Sequence, residues 1–201
     1  GNEEVAYNNK LIKKYFKYCF KLSLKKSRTI IIDNEHYKTF IPSNRECSSL
    51  VIPYGGTIDS SLEINSELSK KYPFLKTDYF LSISRSLEDN KIDELCNIFK
   101  DSNKKLVLIS NFSKSEYGEN VFNKYSNINN IYLIDGLYNK PELDLVRRKC
   151  LAYIHTHTLC GTAPSLVEMI VSGRPILSID IPQNRHTLKD EGYFFKNFED
   201  L

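Results

Sequence analysis

HTHTLCGTAPSLVEMIVSG, His155 to Gly173, is the stretch that decides how this chain folds. An apolar segment, Cys150 to Ile154, runs into it as a strand and ends in a short polar loop. Gly161, Thr162, Ala163 and Pro164 then lead into a helix with one acidic residue, Glu168, and Gly173-Arg174-Pro175 starts the next strand. Strand, glycine turn and helix N-terminus in this order form an anion site. The exposed amides of the first helical turn and the helix dipole both face whatever lies beyond the strand. Gly161 permits close backbone approach, and Pro164 suits a first turn, where its missing N–H is no loss. Glu168 falls about one turn inside. A carboxylate behind a phosphate cradle suits sugar hydroxyls better than a second anion. The local chemistry reads as diphosphate plus ribose, with Gly161, Thr162 and Ser165 as the binding positions of the turn.

The same rhythm extends outward. Strands fit Tyr79–Ser84, Leu106–Ser110, Ile131–Ile134, Cys150–Ile154, Pro175–Ser178 and Tyr193–Phe195, and helices fit Ile92–Lys100, Lys114–Tyr125, Pro141–Arg148 and Pro164–Ser172. Short apolar strands alternating with helices predict an α/β fold, a doubly wound parallel sheet of Rossmann-like type covered on both faces. Ligands of such sheets sit at the carboxyl ends of the strands, near the switch point. Towards the amino end, Lys10 to Lys26 reads as an amphipathic helix with Leu11, Ile12, Tyr15, Phe16, Cys19, Phe20 and Leu22 on one face. Lys10, Lys13, Lys14, Lys17, Lys21 and Lys25 occupy the opposite arc. A strand at Thr29 to Asp33, a short helix near His36 to Phe40 and a strand at Leu50 to Ile52 follow. Pro53-Tyr54-Gly55-Gly56 marks a domain boundary, and Thr57 to Thr77 is a connector with helix around Leu62 to Lys71.

The 201 residues suffice for one well-buried domain and a fragment of a second. With 28 basic and 25 acidic residues the net charge of +3 is too small to indicate a nucleic-acid binder. Five cysteines, Cys19, Cys47, Cys96, Cys150 and Cys160, form an odd number without CxxC spacing, which fits a reduced, cytoplasmic protein. No apolar run approaches the roughly 18 residues that span a bilayer. The opening Gly1-Asn2-Glu3-Glu4 lacks Met, and an acidic segment begins at Asn197. Both ends lead to the expectation of a domain cut from a longer protein.

Further chemistry collects in the other strand-end loops. Ser84 to Lys91 reads SRSLEDNK, with Arg85 leaving the strand towards the crevice and Lys91 starting the next helix. Two cations above a sheet can hold a diphosphate, Arg the better through its planar fork. A solvated loop arginine is the plain alternative. His155 and His157 stand two apart where a strand ends, and with no third ligand at suitable spacing they read as substrate-contacting or structural, with no metal site. Asn111 and Asp135-Gly136-Leu137 end two more strands, where backbone groups can receive a base or serve as ordinary loop. The lysine face of the first helix has two readings as well. Its apolar face packs and the lysines stay in water, or the lysines meet an anionic membrane.

Residues Thr29 to Leu201 resemble the carboxyl-terminal half of GT-B fold glycosyltransferases of family 4, closest to the bacterial rhamnosyltransferase-like branch that builds capsular and surface polysaccharides. The matching pieces are IPYGG at Ile52 to Gly56, SISRSLEDN at Ser82 to Asn90, AYIHTHTLCGTAPSLVE at Ala152 to Glu168 and GRPIL at Gly173 to Leu177. The resemblance implies that residues 1–52 are the remnant of an amino-terminal acceptor domain with its linker. It makes residues 53–201 a nucleotide-sugar (donor) domain, truncated at its carboxyl end. It gives Glu168 the ribose hydroxyls and Arg85 the diphosphate. Two positions depart from the family pattern. A second Glu normally stands eight positions before the first, where this chain has Cys160, as a small residue stands in the rhamnosyltransferase-like branch. The usual phosphate-binding lysine falls on Asn90, with Lys91 beside it. The activity implied is a retaining hexosyl transfer, with rhamnose on thymidine diphosphate the favoured donor. The donor is substrate rather than cofactor, and no metal is required. A glycan or lipid-linked acceptor, no nucleic acid, and a cytoplasmic place with peripheral contact at the inner membrane face complete the expectation. The isolated chain is expected to bind donor and transfer nothing. A non-catalytic nucleotide-sugar binder, a nucleotide-sugar epimerase and a flavodoxin- or receiver-like domain are the competing readings.

Overall fold

The computed structural model describes residues 10–41 and 48–201; Gly1–Glu4 and Cys47 lie outside the described residues. The chain divides into two compact units, Gly1–Pro53 and Tyr54–Leu201.

In the first unit a helix α1, Lys10–Lys26, precedes strands β1, Thr29–Ile32, and β2, Ser48–Val51. The strands pair in parallel with Thr29 opposite Ser48 and Ile32 opposite Val51. Between them a 3-10 turn, Glu35–Phe40, is capped by the Asn34 side chain, which accepts from the His36 amide at 3.0 Å. Asn34 is the only buried residue among the described residues of this unit, and α1 buries none. Along the apolar arc read from the sequence, Leu11 and Tyr15 are exposed and Phe16 and Cys19 half-buried.

The second unit is one sheet clothed by helices. Its elements run α2 (Ser66–Lys71), β3 (Phe80–Ile83), α3 (Ile92–Lys100), β4 (Leu106–Ser110), α4 (Glu116–Tyr125), β5 (Ile131–Asp135) and α5 (Lys140–Lys149). They continue through β6 (Ala152–His155), α6 (Pro164–Ser172), β7 (Ile176–Ile179), α7 (Pro182–Leu188) and β8 (Tyr193–Phe195). The six strands lie in the order β5-β4-β3-β6-β7-β8, all parallel. This is the Rossmann-like, doubly wound α/β sheet expected from the alternation of elements.

Period-two alternation splits the apolar residues between the two faces of the sheet. Leu106 and Leu108 pack with Leu95, Cys96, Phe99, Val121 and Tyr125 from α3 and α4. Val107 and Ile109 pack on the other face with Leu145, Val146, Leu166 and Met169 from α5 and α6. Helix starts are fixed by side-chain caps. Asn65 accepts from the Leu68 amide at 2.8 Å, Ser115 from Gly118 at 3.0 Å, and Asn139 from Glu142 at 3.1 Å. Asn65 accounts for the connector helix beginning at Ser66 rather than near Leu62. Gly173 ends α6 in the left-handed region, φ 68°, which favours glycine.

Three local readings change. Helix α7 is absent from the sequence-based element list, because PQNRHTL has one large apolar residue and no stripe. The acidic segment after Asn197 forms a single capped turn, Phe198–Asp200. The strand expected from Cys150 starts at Ala152, because Cys150 closes α5.

Candidate functional site

Strand order reverses between β3 and β6. The chain steps outward one way through β3, β4 and β5 and the other way through β6, β7 and β8. A crevice opens at such a switch point, outside the carboxyl ends of the two central strands. The loops leaving those strands are Ser84–Lys91 and Thr156–Ala163, the two segments singled out by sequence. Their backbones are stitched together. The Thr158 amide and hydroxyl donate to the Asp89 carbonyl at 3.1 and 2.7 Å, and the Thr156 hydroxyl donates to the Asn90 carbonyl.

The β3 loop is rigidly supported from below. The Ser86 amide donates to Asn111 Oδ1 at 3.1 Å, the Ser115 hydroxyl donates to the Ser86 carbonyl at 2.7 Å, and the Ser110 hydroxyl donates to the Ser84 carbonyl at 2.8 Å. Gly118 makes this seat possible. A Cβ there would stand 2.4 Å from the Phe112 carbonyl oxygen and 2.7 Å from Ser86 Cβ. Asn111 thus braces the loop through its side chain. Asn90 does the same, since its buried Nδ2 donates to the Arg85 carbonyl at 2.7 Å. Lys91 sits at φ 54°, and its ammonium pairs with Glu94 at 3.0 Å on the surface. Leu137 packs into the apolar core rather than standing at the crevice, although the Gly136 turn before it, φ 74°, does end β5. Arg85 itself is exposed.

Across the switch point, β6 delivers His155, fully buried, with the rings of His155 and His157 4.3 Å apart between centroids. Burial, and then the nearby Arg85 guanidinium, push His157 down to about 4. Burial and then His157 push His155 down as well. Both rings are neutral at pH 7. The buried Tyr153 hydroxyl lies 3.2 Å from the Ile83 carbonyl and 3.4 Å from both His155 Nδ1 and Ser165 Oγ. Burial pushes its phenol up to about 12.

One sequence expectation fails here. A ligand-type atom of Cys160 lies within 4.8 Å of ligand nitrogens of both His155 and His157, so a third such residue does stand beside the pair. The loop folds back on itself, bringing together residues whose linear spacing matches no familiar metal motif.

Helix α6 starts as the anion-site reading requires, with Pro164 in its first turn and no side chain capping it at Ala163. The glycines with positive φ among the described residues are Gly136 and Gly173, so the turn before α6 does not rest on a left-handed Gly161. Glu168 bonds to Arg147, whose guanidinium is 4% exposed. Arg147 Nη1 donates to Asp144 Oδ1 at 2.7 Å. Asp144 Oδ2 accepts from the Asp59 amide at 2.8 Å and from the Lys140 ammonium. Burial raises the Asp144 pKa, but Lys140, the Asp59 amide and Arg147 outweigh it and hold the carboxyl below its usual range. Glu168 is thus the half-buried end of a fixed chain of charges.

Sequence reasoning missed Asp144 and Arg147. In PELDLVRRK they look like the solvated side of a helix, and nothing local marks them as buried. His155, His157, Thr156 and Thr158 are brought beside Asp89 and Asn90, and Arg85 stands near His157. The Asn111 and Asn90 side chains bond to the backbone of the β3 loop, and Leu137 packs in the core.

No protein-family profile and no curated protein match the chain. Solved structures do. The sucrose-phosphate synthase of Thermosynechococcus elongatus superposes with a TM-score of 0.73 at 13% identity, over 98% of this chain and 53% of that one. HepE of Anabaena, solved with UDP and glucose, gives 0.67 at 14% identity over 90% of this chain and 53% of its own. TarM gives 0.66 at 19% identity over 93% and 37%. The chain spans about half the length of the first two. At these identities the likeness concerns the fold alone, and that fold is one half of a GT-B architecture.

Proposed function

We propose that residues 54–201 are the donor-binding half of a glycosyltransferase that takes a nucleoside-diphosphate sugar and passes the sugar to a glycan or lipid-linked acceptor. The observation that carries this reading is the meeting of three features at the β3/β6 switch point. The Arg85 guanidinium is near enough to His157 to lower its pKa, no side chain caps the α6 N-terminus at Ala163, and Glu168 is held by Arg147. HepE holds UDP and glucose on a fold of the same kind.

In the proposed reaction, charge grows on the departing nucleoside diphosphate as the sugar becomes oxocarbenium-like. Arg85 and the amides of the first α6 turn meet that charge with dipoles already in place, the electrostatic term from which such a step gains most. Lys91 can join by leaving its exposed pair with Glu94, which is worth little there. Glu168, oriented by a buried guanidinium, accepts from the ribose hydroxyls. The neutral histidines add no charge. The finer reading rests on the motif resemblance: a family 4, rhamnosyltransferase-like enzyme that retains anomeric configuration. Its donor is rhamnose on thymidine diphosphate and its product a bacterial surface or capsular polysaccharide, with no metal needed for the leaving group. The first unit is the end of an acceptor domain. We place the protein in the cytoplasm, with the α1 lysines as a peripheral contact to the inner membrane face. Among the described residues no helix is long and apolar enough to cross a membrane.

The test is calorimetric titration of the 201-residue chain with dTDP, UDP and GDP, beside Glu168→Ala. One nucleotide is expected to bind, with dTDP favoured. The substitution is expected to weaken it about 10-fold or more, as the loss of a charge-assisted hydrogen bond does. Failure of all three nucleotides to bind would overturn the donor reading. Transfer of sugar by the chain alone would overturn the assignment of the first unit as a mere remnant.

A further inference from the structure

We propose that His155, His157 and Cys160 form a binding site for one divalent transition-metal ion of the zinc type, with a fourth position open. This site stands on its own side chains and does not rest on the sugar-transfer reading. It departs from the metal-free expectation drawn from sequence.

The hydrogen bonds decide which ring atoms are available. The Ile83 carbonyl, at 3.2 Å, is the nearest of the three partners of the Tyr153 hydroxyl; assigning its hydrogen there leaves the oxygen to accept from His155 Nδ1–H at 3.4 Å. On that assignment His155 is the Nδ1–H tautomer and carries a lone pair on Nε2. The His157 ring lies 4.3 Å away between centroids, its own Nε2 also buried. Neither Nε2 has a hydrogen-bond partner, although both are buried, and His155 is 0% exposed. Buried polar atoms are nearly always satisfied, so two adjacent orphaned ring nitrogens need an explanation.

A water or hydroxyl answers such nitrogens by donating hydrogens, but the thiol beside them points to an occupant that accepts electron pairs from all three groups. A carboxylate or an ionised phosphodiester oxygen cannot do so, because it brings lone pairs of its own and no proton. A metal ion can, and the third group at hand is a thiol, with all three ligand-type atoms within 4.8 Å of one another. Imidazole nitrogen together with thiolate sulfur suits borderline-soft ions such as zinc. Tetrahedral bond lengths of about 2.0–2.3 Å put such ligand atoms about 3.3–3.6 Å apart. Contraction by roughly an ångström in a loop reaches that. A His155 Nδ1–H bond to the Tyr153 hydroxyl is also the kind of outer support that orients metal-ligating histidines.

Arg85 opposes a cation at this position, and the thiol answers part of that repulsion. On binding, Cys160 gives its proton to solvent and its sulfur bonds the metal as thiolate, so the local charge rises by one rather than two. The Sγ–Asn184 Oδ1 contact, 3.8 Å, gives way as that proton leaves. The bound ion would pin the Thr156–Ala163 loop between β6 and α6.

The experiment uses the full chain, freed of metal with a chelator and titrated with cobalt(II), whose thiolate bonds and tetrahedral geometry both give visible signatures. One equivalent is expected to bind, with a thiolate-to-cobalt charge-transfer band that zinc abolishes by displacement. Cys160→Ser is expected to remove the band and weaken binding at least about tenfold, and His157→Gln to weaken it comparably. Cys19→Ser is expected to change neither. Absence of saturable one-equivalent binding, or a charge-transfer band that persists in Cys160→Ser, would overturn the proposal. The denaturation midpoint of the unsubstituted chain supplies a second readout that does not depend on the variants folding. Saturating zinc should raise it, and no shift would count against the site. Nucleotide is absent throughout, so failure here leaves the donor reading to its own titration.

Discussion

Strands β4 and β1 are both short aliphatic runs, LVLIS and TIII, yet every residue of β4 is buried and none of β1 is. Strand β4 has a parallel neighbour on each edge and helices over both faces. Among the described residues, strand β1 pairs with β2 in a two-stranded sheet. Local sequence sets where a strand forms; the number of layers around it sets how much that strand stabilises. Two strands rarely hold together without further covering, and a helix such as α1 gains most of its stability from packing. The folding energy of the described chain is therefore concentrated in Tyr54–Leu201, where the candidate site also lies.

The largest expected effect tests whether the charged chain behind Glu168 belongs to that stable unit. Asp144→Ala strands the Arg147 guanidinium, 4% exposed, without its buried carboxylate. Breaking a buried pair in this way destabilises by roughly 3–5 kcal/mol. Urea unfolding of the second unit should register it as a fallen midpoint at unchanged slope. A change under about 1 kcal/mol would mean that Arg147 relaxes into solvent and that Glu168 is not held as described.

Next comes Leu108→Ala, at the centre of β4, where the cavity and lost burial together amount to about 3 kcal/mol. The same unfolding measurement checks it. A loss below about 1 kcal/mol would place the stability of this unit outside its sheet.

How much of this was legible in the sequence follows from the same contrast. The six strands and the helices α3 to α6 could be read because fully covered parallel strands are near-continuous apolar runs, separated by helices with one apolar stripe. The two loops of the switch point were legible for a related reason, since the order of elements dictates which loops open on one edge. Burial of charge was not legible. Asp144 and Arg147 lie three apart on a polar helix, and only the packing of α6 against α5 reveals that they point inward to Glu168. Asn111 was read as a ligand contact because it ends a strand, and Asn90 because the resemblance sets a phosphate-binding lysine at its position. The Asn90 amide donates to the Arg85 carbonyl, and the Asn111 amide oxygen accepts from Ser86. The approach of Cys160 to the histidines depends on how a loop turns, which no periodicity records.

The pH dependence should also divide the units. His157 is held down to about 4 by burial and by Arg85, and burial lowers His155 too. The unfolded chain binds protons at these residues below about pH 6.5, whereas the folded chain resists them. Stability of the second unit is thus full above pH 6.5 and falls as pH drops towards 4. The slope reaches at most about 1.4 kcal/mol per pH unit for each histidine. His157→Gln should flatten that slope by about half in chelator-treated protein. An unchanged pH profile in the variant would show that His157 is not the titrating group.

The smallest effect is expected in the first unit. Ile31 is 66% exposed and lies opposite Leu50, 52% exposed, in the β1/β2 pair. Replacing it with threonine keeps a β-branched side chain and its strand preference while removing little buried surface. Ile31→Thr should therefore change stability by no more than about 0.5 kcal/mol, against about 3 for Leu108→Ala. Hydrogen exchange of the β1 and β2 amides gives the local check, with protection in the two strands unchanged. A loss near that of Leu108→Ala would mean that the exposed face of β1 is covered in solution, by a second copy or another partner. Concentration dependence of the effect would then separate these two. If the small value holds, aliphatic strands of similar sequence differ in stabilising power by the layers around them alone.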